Sequence, residues 1–287
     1  MTPATRSVEA SDGHRFEQIE FRPEAPAHYL YWLPALGVTA RSYRPFARAL
    51  AEKGVAVIIH EWRGAGSSSL RAGRRSDWGY RELLDLDIAA GLQQVGQREP
   101  GQRLLIGGHS LGAQIAALAL ARQPDSIDGL VIIAGGSPWW RSFPFPLNGL
   151  LPLVFVTFRG LGAVLGYYPG RRLGFAGTEA RGLIRDWTRS GWTGHYNPDG
   201  IDQDLEAAMS QLEKPVLTLS MASDWFVPRG SLEWLLGKMP GCTVDSEILG
   251  QEDFAERKPD HFGWMKEPDP VVERIVNWPA CKPPAAD

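Results

Sequence analysis

Cysteine is scarce in this chain. Its 287 residues include two, Cys242 and Cys281, too few for a disulfide framework, and both are expected as reduced thiols. No C-x-x-C or H-E-x-x-H spacing occurs, so no metal site is expected. A surplus of positive charge is also missing. Thirty Lys and Arg stand against thirty-three Asp and Glu, the net charge is −3, and the arginines are scattered. A nucleic-acid partner, which needs a basic face, is therefore not expected. Internal repeats and low-complexity tracts are absent. The opening MTPATRSVEASDGHRFEQ lacks the apolar core of a secretory signal, which makes a cytoplasmic address the expectation. Only one long apolar run stands out, from Leu147 to Tyr168, and it holds Pro152, several glycines and a central Arg159. A mid-bilayer arginine is costly, so no stable membrane insertion is expected; a lid helix able to touch lipid fits better.

What is present is an ordinary globular balance, 44% hydrophobic and 22% charged, enough for a sizeable core. Strand-like runs at 6–10 and 16–21 flank the turn signal Ser11-Asp12-Gly13. Further strands are expected at 28–33, 55–60, 103–107, 129–134, 215–222 and 243–249. Helical spacing is read over 41–53, 78–95, 111–122, 230–238 and 270–278. Near-continuous apolar strands such as VAVIIH, alternating with helices, imply an α/β fold: a mostly parallel sheet covered on both faces. Between Ser137 and Asp199 this rhythm breaks into a stretch rich in Trp, Phe, Gly, Pro and Arg. The expected organisation is a core of 1–136 and 200–287, with 137–199 inserted as an aromatic-rich cap over the carboxyl ends of the strands, where open α/β sheets bind ligands. Trp139 and Trp140 in the cap, and Trp225 beyond it, are candidate substrate contacts.

The strongest chemical signal is Gly108-His109-Ser110-Leu111-Gly112, between the strand RLLIG and an alanine-rich helix. So tight a strand-to-helix turn needs small flanking residues and projects the serine from the top of the sheet, at a helix N-terminus that favours developing negative charge. These glycines surround a serine and do not make a dinucleotide fingerprint, so no cofactor is expected. A serine nucleophile needs a base, and the base an orienting acid. After Ser110 only His195 and His261 remain. His195 lies inside the expected cap, whereas His261 lies in a loop between the last strand and the last helix. Asp224 directly follows the strand PVLTLSMAS and is the acid of choice. Asp260 adjoins the base too closely, Asp245 lies within a strand, Asp253 is a loop residue of uncertain reach, and Gly135-Gly136-Ser137 offers no acid. Backbone N–H groups of Leu111, after the serine, and Leu36, in the loop Pro34-Ala35-Leu36-Gly37, are candidate oxyanion donors.

In order, the loop at 33–37, His60-Glu61-Trp62-Arg63-Gly64-Ala65-Gly66-Ser67-Ser68, the Ser110 turn and the Asp224 and His261 loops resemble the α/β-hydrolase superfamily over nearly the whole chain. Two departures stand out. Glu61 replaces the usual Asp in a segment that supports the fold and does no chemistry, and Pro34-Ala35 stands where His-Gly is common. LPALGVTARSYRPFARAL, GYYPGRRLG and DHFGW resemble a bacterial group of predicted α/β-hydrolases, similar to serine aminopeptidase-like and monoacylglycerol-lipase-like hydrolases. The resemblance implies a serine hydrolase with a small-molecule acyl substrate, and ester cleavage is the first expectation given the aromatic cap. Acyl transfer, or peptidase action with Glu179 and Asp186 of the cap as candidates to bind an N-terminus, remain open. A non-catalytic binding protein on the same fold remains open as well.

Overall fold

A computed structural model describes residues 2–96, 98–99 and 101–281. The sheet begins with β1 (Ala4–Glu9), β2 (Arg15–Phe21), β3 (His28–Leu33), β4 (Val55–Ile59), β5 (Leu104–His109) and β6 (Gly129–Ile133). An insertion follows, with its own two-stranded ribbon of β7 (Tyr167–Pro169) and β8 (Thr178–Ala180). The sheet then resumes with β9 (Pro215–Met221) and β10 (Thr243–Leu249). Its order is β1-β2-β4-β3-β5-β6-β9-β10. Only the β1–β2 and β2–β4 pairings are antiparallel; the others are parallel.

The helices are α1 (Arg44–Glu52), α2 (Ala89–Gln93), α3 (Leu111–Arg122), α4 (Leu147–Leu165), α5 (Gly170–Leu173), α6 (Arg181–Thr193), α7 (Leu205–Ser210), α8 (Arg229–Leu236) and α9 (Asp269–Asn277). Strand side chains alternate between two buried layers, as the pleat requires. Tyr29, Tyr31 and Leu33 of β3 join Ile58, Ile106 and the residues of α3 in one core. Leu30 and Trp32 join Val57, Leu105 and residues of α1 and α9 in the other. Covering both faces explains why β3, β4, β5 and β6 are buried throughout. It also explains why α3, lying under the sheet's centre, is apolar on all sides.

The helix expected over 78–95 is subdivided. Trp78 and Gly79 precede it, Glu82–Ile88 forms a wide π-type stretch, and α2 completes it. Asp87 in the wide stretch is fully buried and bonded to His14 and Arg63, a demand from distant residues that the helix's own periodicity does not carry.

Candidate active site

At the end of β5 the chain turns sharply into α3, and Ser110 takes φ 56°, ψ −118°. A left-handed φ is unfavourable for a residue with a Cβ, so this strain is held by its surroundings. The neighbours must be glycine: a Cβ on Gly108 would lie 2.2 Å from Gly112 C, and one on Gly112 would lie 2.1 Å from Leu33 O. The G-x-S-x-G spacing is therefore a packing requirement that brings β5, α3 and the end of β3 together.

His261 and Asp224 meet from two loops. Nδ1 of His261 lies 2.7 Å from Asp224 Oδ2, and both side chains are buried. The other carboxylate oxygen, Oδ1, accepts the N–H groups of Phe226 and Val227 at 2.8 and 3.2 Å, which fixes the carboxylate plane. Ser223 N–H donates to Pro259 O at 2.9 Å and ties the acid's loop to the base's loop. Asp260 points away from the imidazole and accepts Phe262 and Gly263 N–H. The imidazole packs against Phe226, Phe262 and His109, with ring centroids 4.7–4.8 Å apart. Burial, followed by the nearby charge of His261, holds His109 well below the usual histidine range; a hydrogen bond to the His261 backbone acts the other way.

The loop around Leu36 is braced from three sides. Tyr43 Oη accepts Ala35 N–H at 2.9 Å and lies 2.9 Å from His109 Nδ1. Trp62 Nε1 donates to Pro34 O at 2.9 Å, and Glu61 Oε1 accepts Ala40 N–H at 3.1 Å. Arg63 then anchors this segment through a buried network. It donates to Asp87 and Asp12, while His14 bridges Asp87 and Ser68. Gly37 has φ +75°, and a Cβ there would sit 2.3 Å from Gly177 N of the insertion. Leu36 N–H has no acceptor among the described residues. Leu111, the first residue of α3, has no intrahelical acceptor for its N–H.

Ser110, His261, Leu36 and Leu111 line one cavity of about 440 Å³. The insertion supplies much of its wall, including Leu147, Leu151, Phe155, Phe158, Phe175 and Trp187. Among the described residues, the polar lining is Ser110, His261, Gln114, Ser137 and Ser231, with no Asp, Glu, Lys or Arg. A larger cavity of about 580 Å³ lies beyond the Leu36 loop, rimmed by Arg41, Arg44, Arg71 and Arg171, and contains neither Ser110 nor His261. Among the described residues no group of three His, Cys, Asp or Glu could hold a metal ion.

A family model described as serine aminopeptidase matches residues 25–165, just under half of the chain. Solved structures match over nearly all of it. The esterase domain of a Rhodothermus marinus protein has a TM-score of 0.60 at 17% identity, covering 98% of each chain. The chain has the α/β-hydrolase fold. An E-2-(acetamidomethylene)succinate hydrolase is similar at TM-score 0.59 and 19% identity, over 96% of this chain and 99% of that chain. The thioesterase domain from the curacin biosynthetic pathway gives 0.61 and 15%, again over 96% and 99%. At such identities these likenesses speak to the fold. No curated protein matches the sequence.

Of the expected site residues, Ser110, His261, Leu36 and Leu111 share one cavity, and Asp224 is bonded to His261. Trp225 lines the same cavity, stacked on Phe226 and 64% exposed. Trp139 and Trp140 do not reach it, which corrects their candidacy. Trp139 stacks on Trp234 of α8 at 3.6 Å, and Trp140 opens a 3-10 turn beneath the Arg141 guanidinium. His195 is exposed beside Glu206. Glu179 faces the larger cavity, and Asp186 accepts Tyr80 N–H, so neither lines the Ser110 cavity. Gln114, Ser231, Phe155, Phe175 and Trp187 are lining residues that no motif marked. The aromatic density of the insertion was the one signal that could have pointed to the last three.

Proposed function

We propose that this hydrolase cleaves carboxylic esters of apolar acyl or aryl groups through an acyl-enzyme on Ser110. The observation that carries the reading is the cavity at Ser110: its walls are aliphatic and aromatic, and among the described residues no Asp, Glu, Lys or Arg lines it. Such a surface gains from desolvating an apolar chain and offers nothing to a charged one. It therefore weighs against an aminopeptidase, which must neutralise a substrate ammonium, and Glu179 and Asp186 lie elsewhere.

With Nδ1 engaged by Asp224, Nε2 of His261 is the nitrogen left to exchange protons. Ser110 Oγ attacks the ester carbon as its proton passes to Nε2. The N–H groups of Leu36 and Leu111 stabilise the oxyanion, and Asp224 stabilises the imidazolium. The tetrahedral species collapses, the ester C–O bond breaks, and the leaving alkoxide takes the proton from Nε2. Water then gives a proton to Nε2 and attacks the acyl carbon; the acyl–Oγ bond breaks, Oγ takes the proton back from Nε2, and the acid is released.

Steady-state hydrolysis of p-nitrophenyl esters of increasing chain length tests the reading. Turnover should favour medium or longer chains over acetate and fall about 10⁴-fold or more in Ser110→Ala. Aminoacyl p-nitroanilides should be poor substrates. Aminoacyl turnover exceeding that of every ester, or retained activity in Ser110→Ala, would overturn it.

A further inference from the structure

Helix α4 is nineteen residues long and apolar, yet it buries only Phe155 and Gly162. One side, with Leu147, Leu151, Val154 and Phe158, lines the Ser110 cavity. The other side presents Leu153, Val156 and Val164, which are 60–76% exposed. Trp192 of α6 is half exposed and shares a shallow depression with Val156 and Arg159. Phe145, just before the helix, is 85% exposed. Scattered exposed apolar residues are ordinary, but a contiguous patch on a helix marks an interaction surface.

The segment that carries α4 is also net cationic, with Arg181 paired to Asp77 and Arg185 and Arg189 paired to Asp199. Residues 137–199 contain seven arginines, no lysine and three acids, a net +4 in a chain of net −3, which leaves −7 on the remainder. We propose that this face of the insertion docks on an anionic lipid bilayer, with α4 lying in the headgroup plane. An exposed apolar stripe on a cationic segment is the pattern of an interfacial helix. Arg159 stands exposed on α4 beside the stripe, where its stem can follow the apolar surface while the guanidinium meets lipid phosphate. A Trp at the rim suits the membrane–water boundary. A span is unsuited to this helix: it carries Pro152 and Arg159, its inner side closes the cavity, and its end is held where Arg74 donates to Leu165 O. A second copy is a poorer occupant, because a two-fold pair would press two cationic insertions together.

Docking rests on the surface alone. Its consequence rests on the ester reading: an acyl chain leaving the bilayer on the outer side of α4 meets the Ser110 cavity on the inner side.

The test is co-sedimentation of the full chain with phosphatidylcholine vesicles, with and without phosphatidylglycerol. Wild type and Ser110→Ala should bind the anionic vesicles at least tenfold better than the neutral ones, and added salt should weaken binding. The double variant L153S/V156S and the single variant R159E should each lose about tenfold. None of these three residues lines the Ser110 cavity, so both variants should hydrolyse a soluble short-chain ester like wild type. No association of wild type with either vesicle, equal binding to both, or unaltered binding by both variants would overturn the proposal. A wild-type dimer in sedimentation velocity that dissociates in L153S/V156S would also overturn it, assigning the face to a second copy. Failure of the ester reading would abolish turnover while leaving vesicle binding intact.

Discussion

Replacing Tyr43 with phenylalanine removes a single oxygen from a fully buried position. The ring itself, packed between Trp32 and Trp264, keeps its place. That oxygen accepts Ala35 N–H and meets His109 Nδ1, both at 2.9 Å. The variant therefore leaves two buried polar groups unpaired. Each costs about 1–3 kcal/mol, so Tyr43→Phe should lose about 2–6 kcal/mol of stability in urea denaturation. Ala35 precedes Leu36 and His109 precedes Ser110, so the relaxation falls on the backbone at both ends of the proposed oxyanion site. Complete loss of one oxyanion donor lowers kcat about 10²–10³-fold, and a displaced one should cost about tenfold. KM for an apolar ester should change little, because Tyr43 does not line the acyl cavity. Burial pushes the Tyr43 phenol up and the His109 imidazole down. Neither should titrate near neutrality, so the kcat deficit should be the same at each pH in that range. A stability change under about 0.5 kcal/mol with unaltered kcat would refute the bracing role.

Three further outcomes follow from the geometry. Arg63→Met strands the buried Asp87 carboxylate and should cost about 3–5 kcal/mol at neutral pH. The Arg63 hydrogen bond holds Asp12 below the usual carboxylate range; at Asp87 burial pushes upward, but the bonds from His14 and Arg63 prevail. That stabilisation is complete above about pH 4 and is lost as pH falls through the folded values, so the gap between variant and wild type should narrow in acid; a gap independent of pH would contradict this. Burial raises the Glu179 carboxyl to about 7. The unfolded chain thus ionises first, and wild type should lose about 3 kcal/mol as pH rises from about 4.5 to 7, a loss that Glu179→Gln should abolish. Equal pH slopes in calorimetry for the two proteins would refute it. Asp224→Asn should keep the fold and lower kcat about 10³–10⁴-fold in ester assays, whereas a loss below tenfold would remove Asp224 from the proposed triad.

What was legible in the sequence is what depends on neighbours in the chain. Gly108 and Gly112 must be small because the turn at Ser110 is tight. Continuous apolar strands report a doubly covered sheet. Asp224 and His261 each follow a strand, and their loops meet because β9 and β10 are paired. What was illegible depends on pairs far apart. The partners of Arg63 are Asp12 and Asp87, and His14 reaches Asp87 across 73 positions; no local pattern announces such a set. Tyr43 reads as one more apolar helix-face residue until its oxygen is seen at Ala35. Trp139 and Trp140 carry the composition of a substrate wall, but stacking on Trp234 and a turn after β6 direct them elsewhere. Composition marks residues 137–199 as aromatic-rich without revealing which rings face inward.

The central claim is that Ser110 is an activated nucleophile. Its most direct test is intact-mass analysis after treatment with a fluorophosphonate, on wild type and Ser110→Ala. The account predicts a single adduct on wild type, mapped to Ser110 by peptide sequencing and absent from the variant. No adduct on folded wild type, or an adduct that persists in Ser110→Ala, would contradict it.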